Sequence, residues 1–131
     1  MKNIIVDTSR VTLALYFLVS GASKILTWEA HILIMETHNL PMADILLGIV
    51  MTAQIIGGFF LLLKKQIVLV ALVFAIIVLL ININIHDFWN IYEGVNQNQE
   101  RQNFIKNIGL LIAFLLLAAM NIEETEGKTS E

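Results

Sequence analysis

Asn82-Ile83-Asn84-Ile85-His86-Asp87-Phe88-Trp89 brings two amides, an imidazole, a carboxylate and an indole into one short stretch. Groups of these types can hold an anionic or carbonyl ligand by hydrogen bonds and charge. What precedes them sets the medium in which they work. Gln66 to Ile85 carries no formal charge and is dense in Leu, Ile, Val and Ala. As a helix it is long enough to cross a hydrocarbon core of about 30 Å. The polar stretch therefore falls where a membrane span reaches the far interface.

Three further spans must position that stretch. The first runs from about Ser9 to Ile25, with Asp7-Thr8-Ser9 as N-cap residues and with Arg10 and Lys24 near its ends, 14 residues apart. That spacing is about 21 Å along a helix, so the two cations reach opposite interfaces by snorkelling. Lys2, the apolar stretch and Ser20-Gly21-Ala22 imitate a signal peptide, but Arg10 falls too close to the apolar core for one, and a retained span is expected. Thr27 to Asn39 reads as a short interfacial helix, with Trp28, Ile32 and Met35 on one face and Asn39 as its C-terminal cap. The second span, about Met42 to Leu63, follows Pro41 and contains Gln54 and the small-residue pair Ala53 and Gly57. Lys64-Lys65 leaves so short a link to the third span that the pair must form a helical hairpin. The fourth span runs from about Asn103 to Met120, after a polar connection from Asn90 to Gln102.

The expected fold is thus all-α, an integral membrane antiparallel four-helix bundle with a short interfacial helix between the first two spans. It occupies residues 1–122 as one transmembrane domain, followed by a polar, disordered tail over 123–131. No internal repeat is evident.

Composition agrees and excludes several functions. The chain has 131 residues, is 57% hydrophobic and has a mean hydropathy of +0.77, well above a soluble protein. Its net charge of -3 offers no basic stripe for nucleic acid. It has no cysteine, which removes disulfides, thiolate nucleophiles and thiolate metal ligands. His31 and His38 lie seven residues apart, about 10.5 Å along a helix, and His86 and Asp87 point about 100° apart, so neither pair chelates an ion. No glycine-rich phosphate loop or Ser-His-Asp spacing is present, and no self-sufficient catalytic constellation is expected.

Helical phase gathers the remaining polar groups. Asn82, His86 and Trp89 share a face of the third span, and Asn103, Lys106 and Asn107 share one of the fourth. Asp44, Met51, Gln54 and Gly58 form a face of the second span, and Phe17, Ser20, Gly21 and Lys24 one of the first. Polarity is costly in lipid, roughly 2.5–3.5 kcal/mol for a charge at the bilayer centre, so these faces converge inward. The candidate ligand-binding residues are Lys24, Gln54, Asn82, His86, Trp89, Lys106 and Asn107. The plainer alternative is that Gln54, Asn82, His86 and Lys106 only join helices, by hydrogen bonds of about 1 kcal/mol each.

Several fragments together resemble the DoxX-like membrane protein family: Arg10, Ser20-Gly21-Ala22-Ser23-Lys24, Gly57-Gly58 after a polar residue, His86-Asp87-Phe88-Trp89, and Phe104-Ile105-Lys106-Asn107. The resemblance runs from Arg10 to about Met120. It implies a four-helix transmembrane bundle. Some relatives are associated with membrane redox systems, including a subunit of a thiosulfate:quinone oxidoreductase and complexes of oxidative-stress defence. Many relatives carry a glutamate where this chain has Gln54, and an amide does not titrate.

The expectation for function is a non-catalytic or quinone-interacting membrane subunit of a redox system, with quinone as the cofactor and a redox protein or a second copy of the chain as partner. His86, Lys106, Trp89 and Gln54 would meet the carbonyls, and apolar walls the ring and tail. The alternatives are a small anion- or lipid-binding transport protein, which normally needs a repeat for alternating access, and a structural assembly partner. The positive-inside rule sets Lys2, Arg10, Lys64, Lys65 and Lys128 against Lys24, Arg101 and Lys106, which places both termini in the cytoplasm of a bacterial inner membrane.

Overall fold

In the computed structural model the backbone is described for residues 1–129 and the side chains for 1–122. Five helices and no strand are present among the described residues: α1 (Lys2–Leu26), α2 (Trp28–Thr37), α3 (Ala43–Leu62), α4 (Ile67–Asn84) and α5 (Gln97–Thr129). Four of them, α1, α3, α4 and the stretch Gln97–Ile122 of α5, are long and apolar enough to cross a membrane. Their outward surfaces carry Leu15, Ile49, Ile76 and Ile112, each at least half exposed. A soluble protein would bury such residues; a bilayer solvates them. The side chains of the tail expected to be disordered, and residues 130 and 131 entirely, lie outside the described residues.

The short segments are closed by local chemistry. α2 ends in a Schellman motif: Asn39 sits at φ 57°, its N–H reaches the Glu36 carbonyl, and the Leu40 N–H reaches that of Met35. α3 ends the same way, with Lys64 at φ 55° and the Lys65 N–H on the Phe60 carbonyl. Gln66, at φ 51°, then starts α4.

Two helix starts differ from the sequence expectation. α1 begins at Lys2 rather than Ser9, because Asp7 pairs with Arg10 at i,i+3 inside the helix (3.3 Å) instead of capping it. α5 begins at Gln97 rather than Asn103, because the Asn96 side chain accepts from the backbone N–H of Asn98 (3.0 Å) and Gln99 (3.2 Å) and caps the helix earlier.

α3 packs on α1, and α4 packs on α5. Adjacent glycines let α3 approach two neighbours at once. A Cβ on Gly57 would lie 2.6 Å from Phe74 of α4, and one on Gly58 would lie 2.6 Å from Leu18 of α1. The core centres on Phe17, Phe74 and Phe114 from α1, α4 and α5. Phe17 stacks on Phe74 at 4.3 Å between centroids, and Phe114 meets both rings edge-on.

At one end of the molecule Arg10 is buried and does not snorkel alone. Its Nη1 donates to the carbonyls of Leu61 and Leu62 (3.2 Å to the latter), and Nη2 reaches Asp7. The guanidinium thus covers acceptors that α3 leaves open at its C-terminus, where the helix dipole favours a cation. Lys64 Nζ closes the same corner, 2.8 Å from Asp7 Oδ2.

Candidate functional site

The opposite end of the molecule holds a cavity of about 510 Å³, within the range of small-molecule sites. Most of its wall is aliphatic, with Leu47, Val50, Ile77, Val78, Ile81 and Leu110 among the lining residues. The wall runs from buried Phe17 and Gln54 out to Tyr16, Ile34 and Leu80, each about half exposed, so the cavity opens on the apolar surface between α1, α2 and α4.

Four of the seven sequence candidates line this cavity: Lys24, Gln54, His86 and Asn107. Lys24, in the last turn of α1, is 8% exposed and donates to the Ser20 carbonyl (3.2 Å) and hydroxyl (3.0 Å). Gln54, in the middle of α3, is 3% exposed, and its Oε1 is buried with no hydrogen-bond partner in the protein. Buried amides are nearly always satisfied, so such an acceptor calls for an explanation at the site. His86 Nδ1 donates to Glu100 Oε2 at 2.5 Å. A carboxylate brings no proton to that bond, so Nε2 is the nitrogen left for a ligand, an acceptor in the neutral ring and a donor in the charged one.

Asn82, Trp89 and Lys106 stand apart from it. Asn82 is buried against α5, where its Nδ2 donates to the Phe104 carbonyl at 3.0 Å. That bond joins α4 to α5, and the Asn82 Oδ1, like Gln54 Oε1, is buried without a partner among the described residues. Trp89 is 54% exposed and packs edge-on with Phe88 and Phe104. Lys106 is exposed on α5. The common face expected for Asn82, His86 and Trp89 does not form because α4 ends at Asn84 and the backbone then turns. Phase counted at 100° per residue stops applying before His86. Asn84, the last residue of α4, also lines the cavity, on the same helical face as Ile77 and Ile81.

A second polar cluster, of groups that the topology gathers at this end but whose pairing no spacing in the sequence shows, lies beside the cavity. Asp87 is buried, and its Oδ2 accepts from Asn90 Nδ2 (2.6 Å) and the Tyr92 hydroxyl (2.7 Å). His38, at the end of α2, is also buried. Its Nδ1 donates to the Ile34 carbonyl at 2.8 Å, its Nε2 faces Asp87 Oδ1 at 3.7 Å, and its ring packs on Tyr92. The Asp87 carboxylate, by accepting the Tyr92 hydroxyl, holds that phenol above its ordinary pKa. This cluster fastens α2, which has no buried residue of its own, over the cavity end. Trp28 Nε1, 3.3 Å from Asp44 Oδ1, fastens its other end. The topology alone puts His38 and Asp87 at one end of the bundle, and the folded chain adds their direct contact. Among the described residues no group of three or more His, Cys, Asp or Glu is gathered as a metal site requires.

No curated protein and no solved structure matches the chain. A family model, DoxX, matches residues 5–87. The matched segment contains Lys24, Gln54, Asn82 and His86 and stops before Trp89, Lys106 and Asn107, so the fourth-span fragment of the resemblance lies beyond it. More than half of the sequence is covered, from α1 through the end of α4, and the chain, an integral membrane protein with four apolar helices, belongs to the DoxX family.

Proposed function

We propose that this protein is a quinone-binding membrane subunit of a redox system, holding its ligand in the cavity lined by all five helices. The observation that carries the reading is the wall itself: aliphatic over most of its area, open towards lipid, and interrupted by Lys24, Gln54, His86 and Asn107. A quinone presents the matching chemistry, two carbonyl acceptors on an apolar ring with an apolar tail. The ammonium of Lys24 and the amides of Gln54 and Asn107 offer donors for the carbonyls. Gln54 Oε1, left without a partner in the protein, offers an acceptor for the hydroxyl that a carbonyl becomes on reduction. The chain has no cysteine to serve as a thiol carrier, and in this reading the electrons pass between the ligand and a partner protein.

In this reading the four spans cross the bilayer as an antiparallel bundle. The contacts Lys64 to Asp7, Trp28 to Asp44 and His86 to Glu100 support that order by joining successive helix ends alternately at two levels. The cavity end lies on the outer side, with both termini in the cytoplasm of a bacterial inner membrane, as the clustered Lys64 and Lys65 favour. Purification in a gentle detergent, followed by mass spectrometry of the extracted small molecules and co-purifying proteins, tests the proposal. A bound quinone and a redox partner are expected. A lone protein that retains no lipid-soluble carbonyl compound would contradict it.

A further inference from the structure

Resting on that reading, we infer that the cavity selects an oxyanion-bearing amphiphile, with Lys24 as the counter-ion of its head group. Lys24 is the exception among the buried charges. Arg10 is matched by Asp7 and two helix-end carbonyls, and Asp87 by His38, Tyr92 and Asn90. Lys24 is buried too, at 8% exposed, yet its partners are the carbonyl and hydroxyl of Ser20, both neutral and both on its own helix. An ammonium has three donors, and these two bonds leave one uncommitted.

The described residues of the wall around it supply no negative charge. Its polar members are Ser20, His31, Gln54, Asn84, His86 and Asn107, besides Lys24 and the Tyr16 phenol, and none of the lining residues is Asp or Glu. Glu100, the carboxylate nearest in bonding to this wall, is already engaged by His86. A buried ammonium in a low-dielectric wall is costly without an opposite charge and is stabilised when one joins it. The protein leaves that charge to the ligand. The required chemistry is an ionised oxygen on a lipophilic body, which a hydroxyquinone enolate and an acyl-chain carboxylate both present.

The test uses the full chain in phosphatidylcholine nanodiscs, with binding followed by tryptophan fluorescence. The probes are 1,4-naphthoquinone, which is neutral, 2-hydroxy-1,4-naphthoquinone, which is ionised at neutral pH, and laurate. The hydroxylated ring is expected to bind at least about tenfold tighter than the neutral one. Lys24→Met should weaken it by roughly thirtyfold or more, the loss found when one partner of a buried charge pair is truncated, and weaken the neutral ring by about tenfold at most, the loss of one hydrogen bond to an uncharged carbonyl. Lys24→Arg should retain the preference, which separates loss of charge from loss of fold. Laurate that displaces the hydroxylated ring would support the inference with the acyl carboxylate as a second source of the anion. Equal affinity for the two rings, or a Lys24→Met protein that binds the hydroxylated ring as tightly as the parent, would overturn it and leave the quinone reading intact. If neither ring binds but laurate does so through Lys24, the quinone reading fails and this inference stands.

Discussion

Replacing Gln54 by leucine should stabilise the ligand-free protein while weakening ligand binding, a combination that interhelical glue could not produce. Gln54 is 3% exposed, and its Oε1 has no partner in the protein. Leaving a buried polar atom unsatisfied costs about 1–3 kcal/mol. Polar interactions measured within membranes average nearer 0.6 kcal/mol, because the unfolded chain in lipid also finds partners. Leucine is of similar size and removes the acceptor, so a gain of about 1 kcal/mol is expected. Unfolding in mixed micelles by added SDS, followed by circular dichroism, reads that gain directly. Quinone affinity of the same variant, measured in nanodiscs, should fall about tenfold, the equivalent of one lost hydrogen bond of about 1.4 kcal/mol. A variant that is destabilised by more than about 1 kcal/mol, or that binds quinone normally, would refute the assignment of Gln54 to the ligand.

Three other outcomes follow from contacts at named residues. Arg10→Ala removes charged hydrogen bonds to Leu61 and Leu62 at the end of α3 and should cost about 3 kcal/mol in SDS unfolding, with Arg10→Lys restoring only part because lysine lacks the planar fork. Gly58→Val would drive a Cβ to 2.6 Å from Leu18 and 3.2 Å from the Ala14 carbonyl and should lower stability by about 1–3 kcal/mol, whereas Gly109→Ala, which meets nothing within 4 Å, should leave it unchanged or slightly higher. The Tyr92 phenol, raised by its bond to Asp87, should ionise above the usual value near 10 in an ultraviolet titration corrected with Tyr92→Phe. Its contribution to stability is complete below the ordinary tyrosine pKa and is lost as pH rises through the raised one; Asp87→Asn should return the transition towards the ordinary range.

The spans were legible because an apolar run long enough for a bilayer leaves few alternatives, and Asn39 announced the end of α2 by its chemistry. What escaped was decided by backbone geometry at helix ends. Asn96 looked like one more polar residue in a connection until its side chain was seen to cap α5. His86 was assigned by helical phase, yet it reached the cavity because α4 stops at Asn84. Lys24 and Gln54 both lie within regular helix, where the phase rule holds, and both side chains line the cavity. The pairing of His38 with Asp87 joins two elements distant in the chain, and periodicity within one element carries no information about such a contact.

Photolabelling with an azido-quinone in nanodiscs, with the labelled residues located by mass spectrometry, tests most directly whether the cavity is the ligand site. Labels are expected on Tyr16, Val50, Ile81 and Leu110 in the wall, suppressed by excess unlabelled quinone and lost in Val50→Trp, which fills the space. Labels spread over outward-facing Leu15, Ile76 and Ile112, insensitive to competitor, would contradict it.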